Sequence, residues 1–291
     1  MDKFTKDHIL QAGVNKIEAL WNPEEKSADS KLTLVQTAAQ SEFPTLRYHK
    51  MEVGFYGDMG ELIYTKELLV EDRETNEFTF DNSDGRVKAI FPNTGHYAFI
   101  LTILDSTSEQ FFVANYANIS DDFARVLILK SFYDKTFSAS GLTSPQFIDL
   151  ALEVLKSEFS PNIMPVMFRF LDFTLENLLP NSQSATYYSK AFSAVYQHLL
   201  TIGAQRPSTG TPHPLKFLAE SKKDQETNIK TLQLALISLT RNVADFATLH
   251  KIYTKEDLKM TKIDFTLEEQ WKVISLMHAS KFSTPQARAK A

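Results

Sequence analysis

Hydrophobic periodicity changes once along this chain, near Asp105, and that change limits the class of fold it can adopt. Before Asp105 the apolar residues alternate. Leu32 and Leu34 alternate with Lys31 and Thr33, and Met51, Val53 and Phe55 with Lys50, Glu52 and Gly54. A period of two puts one side of each strand into a core and the other toward water. The segment Gly57-Asp58-Met59-Gly60 reads as a tight turn into a strand over 62–70, closing a hairpin. Phe78 and Phe80, the run 87–91 and the run 99–104 supply further strands, separated by DNSDG and PNTG turns. About six short strands with antiparallel connections predict a small β-sandwich. A short helix over 3–11, stopped at Gly13, precedes them.

After Asp105 the period becomes helical. Ser120 reads as an N-cap, with Asp121 and Asp122 in the first turn where the helix dipole favours carboxylates. Ser144-Pro145 opens a helix whose Phe147, Leu150, Ala151, Val154 and Leu155 form one apolar stripe. Further helices are predicted over 162–179, 185–202, 225–240, 243–253 and 266–281. The last carries the spacing of a capping box at Thr266 and Glu269. Helices joined by short turns suggest antiparallel pairs stacked in a row, as in HEAT-like α-solenoids, although no clean repeat period is visible. The stretch QRPSTGTPHP (205–214) reads as an exposed loop. The predicted class is α+β in two parts: a short helix plus β-sandwich over 1–105, and a helical domain over 106–291.

Composition excludes several function classes. At 43% hydrophobic and 23% charged the chain can bury a sizeable core, and it lacks the signature of disorder. A net charge of −5 argues against nucleic acid or an anionic membrane surface as the main partner. There are no cysteines, hence no disulfide framework, thiolate metal site or cysteine nucleophile, which fits a reducing compartment. The start MDKFTKDH lacks a signal-peptide pattern, and no apolar run approaches membrane-spanning length. The expected location is the cytoplasm or another internal compartment.

Four blocks in the N-terminal third, QAGVNKIEALW, KLTLVQTA, FPTLRYHKMEVGFYGDMGELIYTKELLVE and AIFPNTGHYAFILTILD, occur in an order and spacing that resembles a known arrangement. It is the segment that follows the catalytic domain in zinc aminopeptidases of the aminopeptidase N (gluzincin) family. In the helical half, ISDDFARVLILKSFYDKT and DFTLEEQWKVISLM resemble further family helices, so the likeness runs from about Ala12 to Met277. The resemblance implies a β-sandwich followed by a helical domain that arches over an active site, shapes the chamber admitting peptides, and opens and closes.

The zinc centre of that family has no counterpart here. Histidines stand at 8, 49, 96, 198, 213, 250 and 278, and none is followed by Glu, so no H-E-x-x-H exists. That chemistry needs two imidazoles one helical turn apart with a glutamate base between them. The expectation is therefore no catalytic, cofactor-binding or metal-binding residue in this chain, with zinc only on a catalytic domain elsewhere. The chain begins almost where the sandwich should begin and ends at QARAKA, before the family's helical domain would be complete. A stack cut short leaves an apolar face needing a cover, which implies a protein partner. A fragment of a longer product accounts for the same ends. A catalytically silent paralogue acting as a scaffold is the alternative function.

Other constellations are each explained by local structure. His96 and Tyr97 follow Asn93 in a turn, where a polar binding cluster is conceivable but a structural role suffices. Asp121, Asp122 and Arg125 suit helix capping and an i to i+3 or i+4 pair as well as a carboxylate contact through Arg125. GFYGDMG lacks the G-x-G-x-x-G and lysine of a nucleotide loop, and no G-x-S-x-G elbow occurs. Lys222, Lys223, Lys255, Lys259 and Lys262 are interleaved with acids and read as solvated helix faces.

Overall fold

A computed structural model of the chain describes residues 5–204, 222–260 and 263–279. The chain divides into two compact units, Met1–Thr143 and Ser144–Ala291. Strands occupy the first part and helices follow, an α+β arrangement. The predicted loop at 205–214 lies outside the described residues.

In the first unit a π-helical turn, Thr5–Ile9, precedes seven strands: β1 (Asn15–Trp21), β2 (Ser30–Ala38), β3 (His49–Tyr56), β4 (Leu62–Val70), β5 (Thr75–Phe80), β6 (Ala89–Phe91) and β7 (Ile100–Ile103). One sheet has the order β5-β2-β1-β7 and the other β4-β3-β6. The expectation of antiparallel pairing holds for every neighbour but one. β7 returns parallel to β1, with Asn15 opposite Ile100 and Glu18 opposite Ile103. β1 is the strand missing from the sequence reading. Its inward positions are Asn15, Ile17 and Ala19, so only one of the three is a large apolar side chain.

Both sheets contribute to one core. Ile17, Leu32 and Leu34 from the first sheet meet Met51, Val53, Phe55 and Val70 from the second. Phe55 on β3 stacks between Tyr64 on β4, at 4.5 Å, and Phe80 on β5, at 5.0 Å. Such stacked pairs add to the burial of their area.

Two helices complete this unit, α1 (Ser106–Asn115) and α2 (Asp122–Phe137). The side chain of Asp105 caps α1 by accepting from the amides of Thr107 and Ser108. Ser108 Oγ in turn accepts the amide hydrogen of Ile90 on β6 at 3.0 Å. Phe112 packs edge-on against Tyr56 and Phe91. Periodicity turns helical at Asp105, yet the compact unit runs on to Thr143, because α1 and α2 bury their inner faces on the strands.

The second unit contains α3 (Ser144–Leu155), α4 (Met164–Phe173, continued by a π-helical turn Thr174–Leu178), α5 (Asn181–Ala204), α6 (Lys222–Leu239), α7 (Val243–Tyr253) and α8 (Leu267–His278). The capping box at Thr266 and Glu269 is present, each side chain bonded to the other's backbone. Phe147, Ala151, Val154 and Leu155 on α3 are buried as their spacing predicts, and Leu232, Leu236 and Leu239, at helical spacing on α6, are buried too. Odd-numbered helices contact odd, even contact even, and each consecutive pair α3/α4, α5/α6 and α7/α8 also touches. No described helix is long and apolar enough to cross a membrane.

Candidate functional site

The acid pair and arginine at the start of α2 are spent on architecture. Asp121, not the predicted Ser120, is the N-cap, because its carboxylate reaches two free amides, those of Phe123 and Ala124. Arg125 is 0% exposed. It donates to the carbonyl of Ile119 at 2.6 Å and to Asp122 Oδ1 at 2.6 Å. A guanidinium so enclosed secures the incoming loop to the helix and has no free face for a ligand.

The GFYGDMG turn is equally structural. Gly57 donates to the Glu61 carbonyl at 2.9 Å, and the Glu61 carboxylate accepts from Met59 N at 2.9 Å. Gly60 has φ +81°, and a β-carbon there would lie 3.3 Å from Ile119.

The loop joining β6 to β7 has a different character. Asn93 and His96 are both left-handed, with φ 63° and 55°, a conformation rare outside glycine. Buried Asn93 closes the loop, donating to the Ala98 carbonyl at 2.8 Å and accepting the Ala98 amide at 3.0 Å. Thr94 donates its amide to the Glu52 carbonyl at 2.7 Å. The ring of Tyr97 lies over Gly95, where an added β-carbon would approach it to 2.4 Å. So held, the loop exposes Tyr97 at 74% and Phe99 at 79%. His96 meets Phe123 of α2 edge-on at 6.3 Å, and Phe123 is itself half exposed. Partial burial, then the Lys130 charge, lowers the His96 pKa.

In the second unit a cleft of about 490 Å³ opens beside the start of α5, lined among others by Glu176, Asn181, Ser184, Tyr188 and Arg241. Arg241 lies over the Tyr188 ring at 4.6 Å and 3.6 Å from Glu176. Asp172, one helical turn before Glu176, is pushed up to about 6 by burial and by the Glu176 charge, with Arg241 opposing. Asp172 also borders a groove of about 610 Å³ with Arg169 and Lys272. Sequence reading missed this group, because Tyr188 lies on α5 and Arg241 in the turn between α6 and α7, and no local motif joins them.

Of the lysines, Lys223 and Lys259 are exposed, as a solvated face requires, while Lys255 pairs with Asp264 Oδ1 at 2.6 Å. Lys262 and the side chain of Lys222 lie outside the described residues. His198 is buried against Phe159 with Nε2 3.0 Å from the Glu158 carbonyl, and burial holds its pKa down to about 4. Among the described residues no three His, Asp or Glu side chains converge as metal ligands. Compared with models of protein families and with curated proteins, the chain matches none.

Proposed function

We propose that this chain is a non-catalytic binding module, the sandwich and HEAT-like helical part of an aminopeptidase N-like protein. It covers or gates a catalytic domain housed elsewhere, in the cytoplasm or another internal compartment, and any zinc belongs to that domain. The observation carrying this reading is the fixed loop that exposes Tyr97 and Phe99 and meets half-exposed Phe123 through His96. Large aromatics held out by a strained loop that Asn93 and Thr94 tie down fit a protein interface better than a solvent-facing turn. The shared core of two sheets supports the sandwich, and the two rows of alternating helices support the stack. The test is to mix the purified chain with candidate catalytic chains. Binding that raises hydrolysis of an aminoacyl-anilide, and fails for Y97A/F99A, supports the reading; no effect on hydrolysis by any catalytic chain sinks it.

The scaffold alternative is favoured by a separate feature. On α8, Trp271 is 61% exposed and lines a groove with Ile237 and Leu276. Purification in a large assembly without peptidase activity would select this reading.

A further inference from the structure

The N-terminal turn is held by a cation that lacks a carboxylate partner among the described contacts. Arg47 is nearly fully buried. Its Nε donates to the Asp7 carbonyl at 2.6 Å, and its Nη2 to the carbonyls of Gln11 and Ala12 at 3.1 and 2.7 Å. Its Nη1 donates to Thr45 O at 3.2 Å and to Asn15 Oδ1 at 3.5 Å. Five oxygens therefore share one positive charge, and three of them belong to the segment 7–12.

One imidazole shares a partner with this cation, and a second imidazole packs on the first. His49 Nε2 lies 3.2 Å from Asn15 Oδ1, the oxygen Arg47 also uses. Because Asn15 Nδ2 is engaged with the Thr45 carbonyl at 2.8 Å, His49 must be the donor. The ring of His8, from the turn itself, meets His49 edge-on at 5.4 Å, with its Nε2 3.0 Å from Tyr48 O. The titratable and charged groups facing His49 are therefore His8 from the turn and Arg47 from the segment before β3. Asp7 offers Arg47 its backbone oxygen. Beyond Gln36, which accepts the Arg47 amide, Glu71 and Arg73 pair with each other at 3.4 Å.

We propose that Arg47, His49 and His8 form an acid-released clamp: closed while the His49 imidazole is neutral, it opens when His49 takes up a proton and frees the segment 5–12 from the sheets. Proton uptake by His49 adds a second charge beside Arg47, whose described contacts include no carboxylate. Burial first, then His8 and Arg47, holds the His49 pKa down to about 4 in the closed form, against 6.5 for a free imidazole. Stability contributed by this group is thus present above pH 6.5 and lost as pH falls from 6.5 toward 4. A gap of that size lets acid shift the clamp equilibrium on the order of 10²-fold. The device is independent of the function proposed above.

The absence of cysteine permits a clean test on the full chain. A nitroxide label on L10C, at an exposed position of the segment, reports its mobility from pH 7.5 to 4, with a label on L267C as the control. The expected result is a reversible rise in mobility at position 10, with a midpoint between about 4 and 6.5, absent at position 267. H49Q should abolish the midpoint. In the unsubstituted chain the His49 ring resonances should titrate at the same pH, which tests the clamp even if H49Q is mobile throughout. An immobile label down to pH 4, an unchanged midpoint in an H49Q that stays closed at neutral pH, or a His49 titration apart from the label's would overturn the proposal.

Discussion

Asp134, on α2, accepts the amide hydrogen of Thr102, on the edge strand β7, through Oδ2 at 3.4 Å. The same oxygen receives Lys130 Nζ at 2.5 Å, and Asp134 is almost wholly buried. An unpaired edge amide would be a template for foreign strands, and here a carboxylate occupies it. D134A should therefore destabilise the first unit by about 1–3 kcal/mol, the range for a buried donor left unsatisfied. Chemical denaturation with a probe in the strands measures this. An unchanged midpoint would show the contact to be incidental.

Arg125 offers a larger effect. Removing one member of a buried, hydrogen-bonded ion pair typically costs about 3–5 kcal/mol. R125M keeps the stem but strips the donors from Ile119 O and Asp122. We expect a loss near the lower limit, about 3 kcal/mol, since Asp122 is partly exposed. D121A, which removes only the cap, should cost about 1 kcal/mol in the same assay.

Asp172 predicts a pH dependence of opposite sign to that of His49. Its folded pKa, about 6, exceeds the ordinary carboxylate value, so the folded state binds the extra proton between roughly 4 and 6. Its ionisation weakens the second unit as pH rises through that window. D172N should stabilise at pH 7.5 by about 1–2 kcal/mol, a figure reduced for partial exposure. The gain should vanish below about pH 4, as measured by paired thermal melts.

Y97A/F99A separates folding from interaction. Both side chains stand in solvent, so stability should stay within about 0.5 kcal/mol of the parent. The loop should persist too, because Asn93 and Thr94 hold it rather than the aromatics. Circular dichroism and denaturation check the fold, and pull-down against a catalytic chain checks the interaction.

How far the sequence could be read depended on whether a feature was local. Alternation at Leu32/Leu34 and Met51/Val53/Phe55, the stripes of α3 and α6, and the capping box at Thr266 were all visible, since each is written within one turn or strand. β1 was not, because Asn15 and Ala19 point inward at positions where a large apolar side chain would have announced a strand. Its parallel pairing with β7 was hidden for a second reason: the partner lies near the other end of the unit. Ser120 was read as the cap and Asp121 as a first-turn acid, but geometry gives the cap to Asp121, which accepts from two amides. The candidate surfaces divide the same way. Asn93, His96 and Tyr97 could be picked out as a turn, but not the left-handed backbone that presents the aromatics. The cleft of Glu176, Tyr188 and Arg241 exists only once α5 has packed with the turn after α4 and the connection from α6 to α7.

The pairing of β1 with β7 also bears on biosynthesis. The strand emerging first among the seven waits for the one emerging last before its second edge is covered. Nascent chains halted before Ile100 should therefore stay sticky and chaperone-bound, and release should come only after α2 has left the ribosome.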